Sequence, residues 1–214
     1  YNESKNNDWF YIYRSILYAN IVLENLNTLA DNSNEAKEIK STALFYRAWS
    51  LFQAIQIWTA PYDTTRSTIL PGVPLRTNSD FNAISNRGTM EESYDFILND
   101  LKEALEHLPI NVKYKTRPSK AAGYGLLSRI YLSRNEYEKA GNYADSVLQI
   151  NSDLLNYNTL SASSNTPIPR FNSEVIFHTS SVNALILNNA RGKIDTALYS
   201  SYNNNDLRKR IFFR

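Results

Sequence analysis

The sequence predicts a mostly α-helical fold: tetratricopeptide-like helical hairpins in an α-α superhelix, with long irregular loops and a short strand segment. Three observations predict it. Apolar residues recur at helical spacing in five stretches before residue 150. Residues 128–144 space small and aromatic side chains as a tetratricopeptide hairpin does. Beyond Asn151 the composition shifts to Asn, Ser and Pro, residues that favour turns over helices. Residues 1–150 are therefore read as a helical-repeat core with a long loop at 59–88. Residues 151–214 are read as a loop-rich segment that begins an incomplete ligand-binding subdomain.

The first helix runs from Asp8 to about Ala30: Trp9, Tyr13, Ile16, Leu17, Leu23 and Leu26 share a face, and Asp8 is available as N-cap or first-turn acid. A short polar turn, Asp31 to Ser33, leads into a second helix that becomes apolar nearly all round at Ala43–Trp49 and ends at Trp58, before Pro61. The two should pack as an antiparallel hairpin. Residues 59–88 hold Pro61, Pro71, Gly72 and Pro74 without sustained periodicity, a length at which an irregular connector is functional or disordered, and their rings argue for order. Thr89 with Glu92 forms a capping box, followed by Tyr94, Ile97, Leu98, Leu101, Ala104, Leu105 and Leu108 at helical spacing up to Pro109. Pro118 can sit in the first turn of a fourth helix through Ala121, Leu126, Leu127 and Tyr131. Asn135 breaks that helix, and Tyr137, Ala140, Ala144, Val147 and Leu148 continue on a partner. Ser128 and Ala140 allow close approach and the tyrosines fill the space between the pair. Hairpin repeats bury their faces on neighbours; only about two and a half are present where three are usually needed, so further repeats are expected beyond this sequence. Glu174–His178 is the one strand-like run.

Composition narrows function. Lys plus Arg number 23 against 21 Asp plus Glu, a net charge of +2, too balanced for phosphate-dominated nucleic-acid binding. No Cys and two His leave little for a metal site, and no glycine-rich phosphate loop is spaced along the chain, so no metal and no cofactor is expected. His107, at a helix C-terminus, is favoured there by the dipole, and His178 has no nucleophile motif near it. Glu91, Glu92, Asp95, Asp100 and Glu103 are read as the solvated face of their helix rather than a catalytic pair, so no catalytic residue is assigned and the protein is read as a non-enzyme. Arg47, inside an apolar helix, calls for a structural partner; Trp9, Trp49 and Trp58 are assigned to the core. Tyr, Phe and Trp reach 13%, and aromatic faces beside amides and guanidiniums suit sugars, which present C–H faces ringed by hydroxyls. Tyr62, Asp63 and Arg66 in the connector offer that mixture, as do Asn183, Asn188, Asn189, Arg191, Tyr199 and Tyr202 later on.

Five motifs in order carry a family resemblance. Trp9–Asn20, Ala43–Trp49, Ala60-Pro61-Tyr62-Asp63 with Pro71–Leu75, Arg87–Tyr94 with Ile97–Leu101, and Pro118–Ala122 with Leu126–Leu132 resemble successive segments of the SusD/RagB family of outer-membrane nutrient-binding lipoproteins. One departure is Thr59-Ala60, where family members usually have a glycine before the proline. The resemblance implies a longer parent, with a lipidated N-terminal cysteine and a further C-terminal repeat. It implies a cell-surface protein that captures oligosaccharides, or peptides, and passes them to a SusC/RagA-like TonB-dependent transporter, tethered to the outer membrane only through the lipid. It also implies a shallow ligand surface built from loops before the first helix and after the strand-like run. On that basis Asn188, Asn189, Arg191 and Tyr199 are the expected ligand contacts, without a motif match of their own. A tetratricopeptide interaction scaffold and, behind it, a glycoside hydrolase are the alternatives.

Overall fold

A computed structural model of the protein describes residues 7–80, 82–180 and 192–213. Five long helices dominate: α1 (Asp8–Leu29), α2 (Asn34–Trp58), α3 (Met90–His107), α4 (Lys120–Ser133) and α5 (Tyr137–Ile150). Their ends are set by side-chain chemistry. Asn7, Ser33, Thr89 and Ser119 each accept a backbone N–H at the start of a helix, so orphan donors are satisfied there. The capping box is complete, with Thr89 accepting from the Glu92 amide and Glu92 from the Thr89 amide. Ser119 caps α4, so Pro118 stands just before the N-cap rather than inside the first turn. Asn135 ends the α4 hairpin turn in the left-handed region at φ 61°, a conformation Asn tolerates better than most residues.

Each helix packs on its successor, and α2 lies between α1 and α3. That central place explains why α2 is apolar nearly all round. Phe45, Ala48, Leu51, Phe52 and Ile55 are buried, joined by Ile16 of α1 and by Tyr94, Ile97 and Leu101 of α3. Burying a side chain of this size contributes about 1.5–3 kcal/mol, so this layer accounts for much of the fold's stability. The α4–α5 hairpin closes as its residue spacing predicts. Ser128 Oγ donates to the Ala140 carbonyl at 2.8 Å, and Tyr131 stacks on Tyr143 with an interplanar angle of 2°. Tyr137, by contrast, faces solvent.

The connector is ordered by pairing. Pro71–Pro74 (β1) and Arg87–Thr89 (β2) form a two-stranded antiparallel sheet with an irregular register, as expected where proline cannot donate to the ladder. Gly72 is needed there: a Cβ would lie 2.1 Å from Ser93 Oγ and 2.2 Å from the Thr89 carbonyl. Arg87 donates to the Gly72 carbonyl and, at 2.6 Å, to the Trp58 carbonyl, which ties the sheet to the end of α2.

Two expectations are corrected. Glu174–His178 is not a strand but a turn-rich segment whose Phe177 ring docks on Phe45, Tyr46 and Trp49 of α2. The hydrophobicity of the run serves that docking rather than a sheet. Trp9 is 37% exposed, edge-on to Trp58 and tilted over Tyr13, while Trp49 and Trp58 pack against the core.

Candidate functional site

Two side-chain constellations stand out, and only one is open to a ligand. In the core, Arg47 makes a bidentate pair with Asp100 (2.7 and 2.8 Å) and gives a third hydrogen bond to Asn20 Oδ1 at 2.9 Å. Asn20 passes the contact on, donating to the carbonyls of Arg76 and Asn78 in the connector. This bears out a structural partner for Arg47. It also corrects the assignment of Asp100 to the solvated face, since Asp100 is buried and is that partner. A paired, fully bonded buried charge of this kind fixes the positions of α1, α2 and α3 rather than doing chemistry.

The other acids on α3 are also engaged structurally or exposed. Glu103 pairs with Lys40 at the surface. Glu91 accepts the Tyr62 hydroxyl at 2.5 Å and lies 3.4 Å from Arg134, whose guanidinium stacks over the Tyr62 ring at 4.5 Å. Burial alone would raise the Glu91 carboxyl, but the Tyr62 and Ser67 hydroxyls and Arg134 together hold it below the usual range. Tyr62 is therefore buried as a brace between the connector and α3, and Asp63 closes a local turn on Thr65, which removes both from the ligand candidates. Arg66 is exposed. His178 accepts from Arg170 and its amide donates to the Lys115 carbonyl, a docking contact.

The open constellation is in the loop-rich segment. Two short helices, α6 (Thr196–Ser201) and α7 (Leu207–Phe212), are capped by Asp195 and Asp206 and joined by an Asn203–Asp206 turn. Asn and Asp favour such turns because their side chains accept the amide two residues on, as Asn203 does from Asn205 at 3.2 Å. The Phe213 ring meets Tyr199 and Tyr202 edge-on, and Phe212 meets Tyr157 of a single 3-10 turn, Tyr157–Thr159. Between these pieces lies an open depression of about 460 Å³. Ala162 and Ser163 line one side, and Tyr199, Asn204, Lys209, Arg210 and Phe213 the other. Lys209 Nζ sits 4.7 Å above the Tyr199 ring and donates to the Tyr202 carbonyl and Asn204 Oδ1. Aromatic faces, an amide and two cations around a shallow polar hollow can hold a hydroxyl-rich ligand, and no acid among the described residues lines it.

Of the expected contacts, Tyr199 lines the depression; Tyr202, from the wider loop mixture, meets Phe213 edge-on. Asn188, Asn189 and Arg191, with Asn183, lie outside the described residues. Asn204, Lys209, Arg210 and Phe213 escaped the sequence reading. Their signal was present in the Asn-rich turn running into a basic, apolar segment, but nothing in one dimension says which ring that segment folds back upon. Among the described residues, no group of His, Asp and Glu is arranged for a metal, and no helix is long and apolar enough to cross a membrane.

Residues 1–132 match the SusD-like family described as starch-binding and associating with the outer membrane. SusD-like protein P2 of Formosa agariphila is 29% identical over 142 residues, which cover 65% of this chain and 26% of that protein. A SusD superfamily protein of Bacteroides thetaiotaomicron superposes with a TM-score of 0.64 at 28% identity, covering 70% of this chain and 34% of that one. A SusD-like carbohydrate binding protein of Bacteroides vulgatus gives 0.63 at 25% identity, over 72% and 33%. The chain thus spans about a quarter to a third of the length of these relatives.

Proposed function

The chain belongs to the SusD-like family, and from that premise we propose that it is the helical frame and part of the ligand face of a surface protein that binds oligosaccharides reversibly. The family match over residues 1–132 carries this reading. The likeness to a carbohydrate-binding relative of the same helical fold supports it. The helices offer a rigid support, because the Arg47–Asp100–Asn20 contacts that join α1, α2 and α3 are buried. The ligand is held at the depression beside Tyr199, where a sugar ring can lie on an aromatic face while Asn204 and Ser163 meet its hydroxyls. Asn188, Asn189 and Arg191, which lie outside the described residues, are proposed as further contacts. The bound sugar is handed to a SusC/RagA-like TonB-dependent transporter, and the protein is held at the outer membrane by a lipid on a cysteine outside these residues, which contain none.

Capture without cleavage is the chemistry proposed. Glycoside hydrolysis needs two carboxyl groups flanking the bond, and none of the described residues lining the depression carries one. A panel of oligosaccharides and peptides, assayed with the 214-residue chain for retention and for product release, tests the reading. Reversible retention of an oligosaccharide, with the sugar recovered intact, is expected. Cleaved products would establish a hydrolase, retention of peptides alone would move the ligand class, and no retention of any ligand would contradict the proposal.

A further inference from the structure

We propose that the depression between α6, α7 and the Ala162–Ser163 turn selects oligosaccharides that carry anionic substituents, carboxylate or sulfate, with Lys209 and Arg210 as the selecting cations. The inference rests on the reading of this face as a glycan site and adds the class of glycan it takes.

The charge arrangement carries it. Two of the lining side chains are cationic and none is acidic. Lys209 gives two of its three donors to neutral acceptors, the Tyr202 carbonyl and the Asn204 amide oxygen, so it is held in place without being neutralised and keeps one donor for a ligand. Arg210 is exposed and makes no ion pair or hydrogen bond among the described residues. The acids on these two helices are committed elsewhere. Asp206 is closed by Arg208 through contacts of 2.6, 3.0 and 3.1 Å and by the α7 amide of Arg208, which hold its carboxyl below the usual range. Asp195 is turned to the amides of Ala197 and Leu198 at the start of α6. Among the described residues the depression therefore sets two cations side by side with no acid in its lining, in a chain whose net charge is only +2. A neutral sugar needs none of it. A carboxylate or sulfate on a ring stacked against Tyr199 would meet charge-assisted donors from Lys209 and Arg210, which are stronger than neutral hydrogen bonds.

Calorimetry of the 214-residue chain tests this with three ligand sets of matched length: neutral oligosaccharides, uronate-bearing ones and sulfated ones, at low and at physiological salt. The expected result is a preference of about tenfold or more for one charged set over its neutral counterpart, narrowing as salt rises. The uronate and sulfate arms identify which anion is read. Arg210→Gln, an exposed change that leaves the fold intact, should reduce the preference for the charged set by about three- to tenfold. Lys102→Gln, which removes the same charge from the exposed face of α3, should leave the preference unchanged. Equal binding of neutral and charged sugars, or an equal effect of both substitutions, overturns the inference while sugar binding itself stands. Failure to bind any of the three sets overturns the glycan reading on which it rests.

Discussion

Polar side chains behave differently in the two halves of the molecule. Across residues 8–150 many local bonds are joined by ones that reach far along the chain: Arg47 to Asp100, Asn20 to Arg76 and Asn78, Tyr13 to the Pro74 carbonyl. Across residues 151–213 most reach only two or three residues, as Asn156 to Asn158, Asn172 to Glu174, Asp195 to Ala197 and Asp206 to Arg208. The first pattern uses hydrogen bonds to lock buried elements together. The second uses them to shape exposed turns, leaving rings and cations free to meet a ligand. Long loops of this kind on a rigid support are where binding residues concentrate. The second region is moored to the first at few points, chiefly Phe177 on α2 and the His178 amide on Lys115.

The largest effect should come from breaking the long-range network. Arg47→Met leaves Asp100 buried and unpaired and should cost about 3–5 kcal/mol in denaturant unfolding. Adding Asp100→Leu should recover much of that loss, because the stranded charge is then gone; failure to recover would move the defect to packing around Asn20. The mooring comes next. Phe177→Ala should weaken docking of the 170–180 segment by about 1–3 kcal/mol, half the scale of a fully buried ring. It would be read as faster exchange of the His178 amide with the α3 amides unchanged, and loss of protection in both regions together would erase the contrast drawn above.

Smaller effects lie at the ends and edges of the core. Thr89→Ala removes one half of the capping box and should cost about 1 kcal/mol, detected as a lower unfolding midpoint. Acid should loosen the connector. The Ser79 hydroxyl and amide hold the Glu24 carboxyl below its usual range, and Glu91 is held low by its hydroxyl partners despite burial. A carboxyl lowered in the folded state contributes stability present above its unfolded pKa of about 4.3 and lost as pH falls through the folded value. The Ser79 amide, which donates to Glu24 at 2.8 Å, should therefore lose exchange protection below about pH 4. Unchanged protection at pH 3 would show that backbone contacts alone hold that loop.

The same contrast explains what the sequence could reveal. α1 to α5 were legible because helical periodicity and caps are local: Thr89 with Glu92 and the break at Asn135 needed no knowledge of the rest of the chain. Asp100 was misassigned because a charged residue on an amphipathic helix ordinarily faces water, and its partner lies 53 residues away. Glu174–His178 carries strand-like residues, yet a strand requires a neighbouring strand, and Phe177 found a helix instead. In the depression, Tyr199 was legible as an exposed ring among turn residues. Lys209, Arg210 and Phe213 were not, since their convergence depends on how two six-residue helices fold across a turn.

Tyr199→Ala offers the most direct test, measured as oligosaccharide affinity and thermal midpoint on the same sample. Tyr199 is exposed and outside the helical core, so the midpoint should hold while affinity falls about tenfold, or about 1.4 kcal/mol, from the lost stacking face. Undiminished affinity in this variant would contradict a sugar held at that ring.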